Sequence, residues 1–155
     1  MLWANLSLVA AGFSLALAVG GGFYEGFVIN PQWSLQPPTS FTLIQEGTGV
    51  PLQKFWIPVH ILITVFILAA LFLNWRIPSR RTFILVSLGS YIVMRGWSFL
   101  YFIPEMLSFQ KIATNSSPTD ELVKRVSMWK TLTYWRTPLD LISFFTVLWS
   151  LTLDE

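Results

Sequence analysis

The sequence predicts an all-α integral membrane protein, a four-helix up-down-up-down bundle with a polar stripe in its interior. Of its 155 residues, 54% are hydrophobic and 12% are charged, whereas an ordinary soluble domain has about 25% charged residues. The apolar residues form four continuous runs, each close to the ~20 residues that a helix needs to cross a bilayer. We therefore expect one domain over residues 1–155, and the composition argues against a disordered chain or an ordinary soluble enzyme.

The spans are placed at about 2–30, 52–75, 82–109 and 128–153. Runs of this length without apolar–polar alternation favour helices over strands. The first span contains Ala16-Leu17-Ala18, which is similar to a signal-peptide cleavage site. Because no basic segment precedes this run and the run is too long for a signal peptide, we expect the span to be retained.

The connections between the spans differ in character. Residues 31–51 are rich in proline, glycine and polar residues, so they predict an irregular loop. Ser117-Pro118 predicts the start of the fourth helix, which then projects beyond the bilayer. The turn at 76–81 carries three arginines. Because short basic loops favour the cytoplasmic side, we expect a multi-pass protein with both termini in the cytoplasm.

The tryptophans divide into two groups. Those near the span ends are interpreted as interfacial anchors: Trp3, Trp33, Trp56, Trp75, Trp129 and Trp149. The deeper ones are grouped with three tyrosines as rings that could hold a flat ligand: Trp97, Trp135, Tyr24, Tyr91 and Tyr101.

Ionisable residues recur at helical spacing inside the spans. A charge at the centre of a span costs about 2.5–3.5 kcal/mol on insertion scales, so such side chains normally face the interior of a bundle. We expect one hydrogen-bonded cluster below the two longer loops, in which Arg136 pairs with Asp140 four residues later. The residues of this expected cluster are Glu25, His60, Arg95, Glu105, Arg136 and Asp140.

Three interpretations of this cluster remain open. The charges could only fix helix packing, as in a non-catalytic structural or interaction protein. They could line a pocket in which His60 is a general base, Arg95 and Arg136 stabilise an anion, and Asp140 completes the catalytic set. Glu25, Glu105 and the five rings would then bind the ligand. The third interpretation is a small oligomeric proton or solute transporter.

Other partners are constrained by composition. No metal-ligand motif accompanies His60, the single histidine, and the chain has no cysteine, so we expect neither a metal nor another cofactor. The net charge of +2 gives no reason to expect a nucleic-acid partner. The expected partners are membrane lipids and a small hydrophobic ligand, with a homo-oligomer as an option.

The layout resembles the small four-helix membrane proteins that are grouped with fungal anthrone oxygenases. The similar features are a Gly/Ala-rich first span that ends in Asn30-Pro31, His60 in the second span, and Trp129 with Arg136 in the fourth. Segment 104–110 carries Glu105 where the family has an asparagine-containing segment. The resemblance implies a cofactor-free oxygenation of an electron-rich polycyclic phenol or quinol.

Overall fold

The computed structural model describes residues 2–153, and four long helices account for most of them. These are α1 Leu2–Trp33, α2 Gln53–Leu73, α3 Pro78–Gln110 and α4 Asp120–Ser150. A short 3-10 helix, Thr39–Leu43, lies in the loop between α1 and α2. No strand occurs in residues 2–153, so the predicted all-α class is confirmed.

Both α1 and α3 contain one π-helical turn, at Glu25–Ile29 and at Ser98–Phe102. Each turn is followed closely by a proline, Pro31 or Pro104, in the first turn of the next α-helical segment. Proline is tolerated in a first turn because the N–H group that it lacks would have no helical partner there, whereas in a helix interior its ring would clash with the preceding turn. A π-turn inserts an extra residue and rotates the positions that follow. The first helix therefore continues past Pro31 instead of ending there as predicted.

Helices α1 and α2 contact each other at both ends with opposite chain directions. Asn74 Nδ2 donates to the Ala4 carbonyl at 3.3 Å near one end. Near the other end, the Gly21 backbone lies so close to the Phe55 ring that an added Cβ would collide with it. Glycine at this position therefore permits close packing, which agrees with the small-residue face predicted for the first span.

Helices α3 and α4 are also joined along their length in opposite directions. Ser87 Oγ donates to the Ser143 carbonyl at 2.8 Å, and Ser143 Oγ donates to the Ser87 carbonyl at 3.0 Å. Ser90 Oγ donates to the Leu139 carbonyl at 2.8 Å one turn further on. Small hydroxyl side chains let the two backbones approach closely and satisfy their own polar groups.

One arginine of the basic 76–81 segment, Arg80, is part of the protein interior. Arg80 is buried, and its Nη1 donates to Asn5 Oδ1 at 2.6 Å and to Asn74 Oδ1 at 3.2 Å. Its Nε donates to the Leu153 carbonyl at 3.1 Å. One guanidinium therefore connects the start of α1, the end of α2 and the segment after α4.

An aromatic cluster fastens the loop after α1 to the ends of α3 and α4. Trp33 packs against Phe41 at 5.9 Å, Phe109 at 5.8 Å and Trp129 at 5.3 Å between ring centroids. All four rings are buried. The prediction that Trp33 and Trp129 are interfacial anchors is therefore wrong, because Phe41 of the loop and Phe109 cover Trp33, while Trp33 and Phe102 cover Trp129. Trp3, Trp75 and Trp149 are exposed on the outer surface.

Three of the helices, α1, α2 and α3, are long and apolar enough to cross a membrane by length and composition. Helix α4 is not among them, since its charged and hydroxyl residues lower its mean hydropathy. It begins at Asp120, with Thr119 as the N-cap that accepts a hydrogen bond from Leu122 N at 3.2 Å. The helix thus starts two residues after the predicted Ser117-Pro118 signal.

Candidate functional site

A cavity of about 1530 Å³ opens among the four helices at the end near the α1–α2 loop. Every helix contributes to its wall, and loop residues 44–52 contribute to its rim. Two glycines shape this loop segment. Gly47 has a φ of +85°, and a Cβ on Gly49 would lie 2.5 Å from the Leu43 carbonyl oxygen. Residues with larger side chains could not follow the same path.

Six of the predicted site residues line this single cavity. Helix α1 contributes one, α2 one, α3 two and α4 two. They are Glu25, His60, Tyr91, Arg95, Arg136 and Asp140. The ionisable residues that were predicted from helical spacing therefore meet at one cavity, although they lie far apart in the chain. Their chemical roles remain predictions.

His60 is held between α2 and α3. Its ring lies 5.5 Å from the Trp56 ring, with 21° between the two planes, so the rings are stacked. Its Nδ1 lies 3.2 Å from the Tyr91 hydroxyl, which also donates to the His60 carbonyl at 3.2 Å. Thr64 Oγ1 donates to the same carbonyl at 2.8 Å and lies 3.3 Å from the Tyr91 hydroxyl. The imidazole is therefore fixed in orientation.

These contacts have a consequence for the histidine tautomer. When the Tyr91 hydroxyl donates its proton to the His60 carbonyl, its oxygen is free to accept from Nδ1–H. Nε2 then keeps its lone pair, which is the form that a general base requires. Tyr91 would act by positioning His60, and it also lines the cavity itself.

The two arginines lie on rings in the cavity wall. Arg136 Nη1 donates to Ser98 Oγ at 3.1 Å, and its guanidinium carbon lies 4.5 Å from the Phe102 ring centroid. The guanidinium carbon of Arg95 lies 4.4 Å from the Phe99 ring centroid. Cation–π contacts of this kind stabilise a guanidinium without neutralising it. Both cations thus remain available to an anionic ligand.

Glu25 and Asp140, the two acids that the helices contribute to the cavity, form no direct ion pair with these arginines, although both lie within electrostatic range of Arg136. Glu25 Oε2 accepts a hydrogen bond from Trp56 Nε1 at 2.9 Å. Across residues 2–153, Asp140 forms no hydrogen bond or ion pair. The predicted Arg136–Asp140 ion pair is therefore wrong, because the Arg136 guanidinium points to Ser98 and Phe102 on α3. The predicted continuous network is also wrong, since the hydrogen bonds form separate small groups.

Glu105 lies outside the cavity, contrary to prediction, and accepts from Arg125 Nη2 at 2.9 Å. Arg125 also donates to Ser108 Oγ at 2.6 Å. The π-helical turn Ser98–Phe102 explains the error, because it rotates Glu105 away from the helix face that carries Tyr91 and Arg95. Glu105–Arg125 is the one ion pair found among residues 2–153.

Four of the five predicted ligand-binding rings also lie outside the cavity wall. Trp97 and Tyr101 pack against Phe102, with ring centroids 5.5 and 5.2 Å away. Tyr24 and Trp135 are exposed on the outer surface. The prediction is wrong for these four as cavity-lining groups, since helical rotation turns them outward, and Tyr91 is the ring that does line it.

Asn30 and Trp56 are cavity residues outside the predicted site. Asn30 is buried, lines the cavity and accepts from Trp33 Nε1 at 3.0 Å. Trp56 was interpreted as an anchor, although its position one turn before His60 indicated the same helix face. Thr64, one turn after His60, shares its helix face and also lines the cavity.

Around one open space the four helices offer a base, the two cations Arg95 and Arg136, the two carboxylates Glu25 and Asp140 and an aromatic plane, and the loop side adds Glu46 and Lys54. No group of three or more potential metal-ligating acids or histidines occurs in the described part of the chain. The chain matches no protein-family model, no curated protein and no solved structure at a significant level. The function is therefore inferred from the site itself.

Proposed function

We propose that this chain is a four-span membrane protein that binds a ring-bearing phenol or quinol in the cavity and oxidises it with O₂. In this proposal the helices cross the bilayer in up-down order and both termini lie in the cytoplasm. Three helices suited to crossing a membrane support the membrane assignment. The basic turn at residues 76–81 supports the orientation.

Helix α4 is proposed to cross as well, despite its lower hydropathy. Its ionisable residues Arg136 and Asp140 line the cavity instead of facing outward. Its exposed positions further along, Ile142, Phe145 and Trp149, are apolar or aromatic and suit a lipid-facing surface. Its polar groups are thus compatible with a span whose charges face inward.

The observation that carries the proposal is a set of opposite charges that line one cavity and attract each other across it without a direct ion-pair contact. A cluster that served only to fasten helices would pair its charges, because an unpaired buried charge is costly. Here the ion pair among residues 2–153 is Glu105–Arg125, outside the cavity. Charged groups around an open space are better suited to a ligand than to helix packing alone.

The chemistry follows from the positions of these groups. With anthrone as the test substrate, His60 Nε2 takes a proton from the ring carbon opposite the carbonyl, and Arg95 or Arg136 stabilises the enolate oxygen. The carbanion carbon reduces O₂ and bonds to it, and the peroxide then takes the proton held by His60. Loss of the second C–H proton and of hydroxide breaks the O–O bond. One anthrone and one O₂ give one anthraquinone and one water.

This function is tested by incubating the purified protein with anthrone and with a naphthoquinol under air, while oxygen uptake and product absorbance are followed. We expect turnover by the unmodified protein and at least about a hundredfold loss in His60→Ala, in keeping with the contribution of general bases. Tyr24→Phe is the control, because Tyr24 is exposed outside the cavity. Absence of binding and turnover across the panel would contradict the proposal, and turnover that survives His60→Ala would contradict the base assignment.

A further inference from the structure

The cavity has an opening on the side of the bundle, between α2 and α3. Helix α2 packs mainly against α1, and α3 packs mainly against α4, so α2 and α3 contact each other much less. Several residues of these two helices both line the cavity and are exposed on the outer surface. They are Ile57, Ile61 and Val65 on α2, and Ile92, Phe99 and Ile103 on α3. We call these six residues the side mouth.

The side mouth is apolar on its outside and cationic just within. All six of its side chains are hydrocarbon. The Arg95 guanidinium lies over the ring of Phe99, a residue of the mouth, and forms no hydrogen bond or ion pair within residues 2–153. A molecule that passes from hydrocarbon between these side chains would therefore meet the Arg95 guanidinium, which has Asp140 and Tyr91 as electrostatic neighbours but no direct ion pair. Such an arrangement suits an acidic oxygen attached to an apolar body.

The size of the cavity also favours a ligand with a large apolar body. Pockets for drug-sized ligands hold about 300–1,000 Å³, and this cavity is larger, at about 1530 Å³. A three-ring phenol alone would leave much of it unfilled. A phenol with a long apolar chain would fill the space and extend its chain through the side mouth.

We propose that the substrate is a membrane-dissolved phenol or quinol with an apolar chain, which enters sideways from the bilayer between α2 and α3. Its ring passes Arg95 and reaches His60, while its chain stays in the side mouth. This inference rests on the proposed function, since it requires the bundle to be in the membrane and the cavity to bind a phenol. It adds the class of substrate and the route by which it is loaded.

The test uses the protein in lipid nanodiscs and a fluorescent probe, 2-hydroxyanthracene with a ten-carbon chain. Energy transfer from tryptophan to the probe reports the rate of loading. Ile92→Trp places a bulky ring in the side mouth, and Val93→Trp is its matched control. The two native residues are neighbours with exposed fractions of 59% and 58%, but Val93 does not line the cavity. We expect Ile92→Trp to slow loading about tenfold or more and Val93→Trp to leave it unchanged.

A second pair keeps the test decisive if Ile92→Trp does not fold. Ile61→Trp should slow loading in the same way, whereas Leu62→Trp, next to it and outside the cavity wall, should not. Equal loading rates in the mouth variants and their controls would overturn the side route while leaving the cavity intact. Tighter binding of the probe without the chain would overturn the substrate class. If the unmodified protein binds neither probe, the proposed function fails as well.

Discussion

The imidazole of His60 is held from two sides, by the indole of Trp56 and by the hydroxyl of Tyr91. Neither contact involves Nε2, and both leave the ring at the cavity wall. The residue was recognisable from sequence as the single histidine on a polar stripe. Its tyrosine partner was recognisable only as a nearby ring, because the sequence does not specify which hydroxyl of α3 meets α2.

At this residue we predict that Tyr91→Phe lowers the rate of substrate oxidation about tenfold while the protein remains folded. The phenyl ring keeps the packing, but Nδ1 loses the partner that orients the imidazole, and such positioning residues commonly contribute factors of this size. The KM should change little if Tyr91 positions His60 and does not hold the substrate. Steady-state oxygen uptake measures both constants, and an unchanged kcat would contradict the role given to Tyr91.

A second residue-scale prediction concerns Asp140. Because Asp140 forms no ion pair in residues 2–153, Asp140→Asn should lower the melting temperature in detergent only slightly. Arg80→Met should lower it far more, since Asn5 and Asn74 would lose a buried donor. Circular dichroism on the two variants gives the comparison. An Asp140→Asn protein as unstable as Arg80→Met would restore the ion-pair interpretation.

Among the elements, α3 and α4 depend on small residues where their backbones approach. Ser87→Leu should destabilise the protein by about 1–3 kcal/mol, because the larger side chain forces the helices apart and removes a hydrogen bond to Ser143. Val86→Leu, at the exposed neighbouring position, is the control and should be nearly neutral. Unfolding in a denaturing detergent measures both, and equal stabilities would contradict the packing argument.

On α3, helical spacing correctly predicted which side chains face the cavity as far as the π-helical turn. Tyr91 and Arg95 were placed correctly on α3, and Ser98 and Phe102 also line the cavity. Glu105 lies after the π-turn Ser98–Phe102 and faces Arg125 instead. The π-turn is a local change in the backbone hydrogen bonds just before Pro104. A prediction from regular helical spacing therefore could not include it.

The burial of tryptophans near the helix ends could not be predicted from the sequence. Trp33 and Trp129 have the positions of interfacial anchors, yet both are buried in a ring cluster that joins α1, α3, α4 and a loop whose path the sequence does not specify. Trp3 has a similar position and remains exposed. The four helices and most of the charged cavity residues were therefore predictable, whereas the loop and the rotation of the helix ends depend on tertiary packing.

For the whole molecule, the proposed up-down topology puts the two ends of the bundle on opposite sides of the membrane. The chain has no cysteine, so single cysteines can report each end without background. Thr48→Cys in the α1–α2 loop should react with a membrane-impermeant maleimide from outside intact cells. Arg76→Cys in the basic turn should react only after the cells are opened. Reaction of both cysteines from the same side would contradict the topology.

Photolabelling tests whether the cavity beside His60 binds a phenolic ring. The probe is 4-hydroxybenzophenone, a phenolic diaryl ketone that inserts into nearby C–H bonds on illumination. Mass spectrometry of the labelled protein should locate the label on cavity residues such as Trp56, Thr64 and Met94. An excess of anthrone should prevent it. Labelling confined to outward residues such as Trp135 and Phe72, and unaffected by anthrone, would contradict the claim.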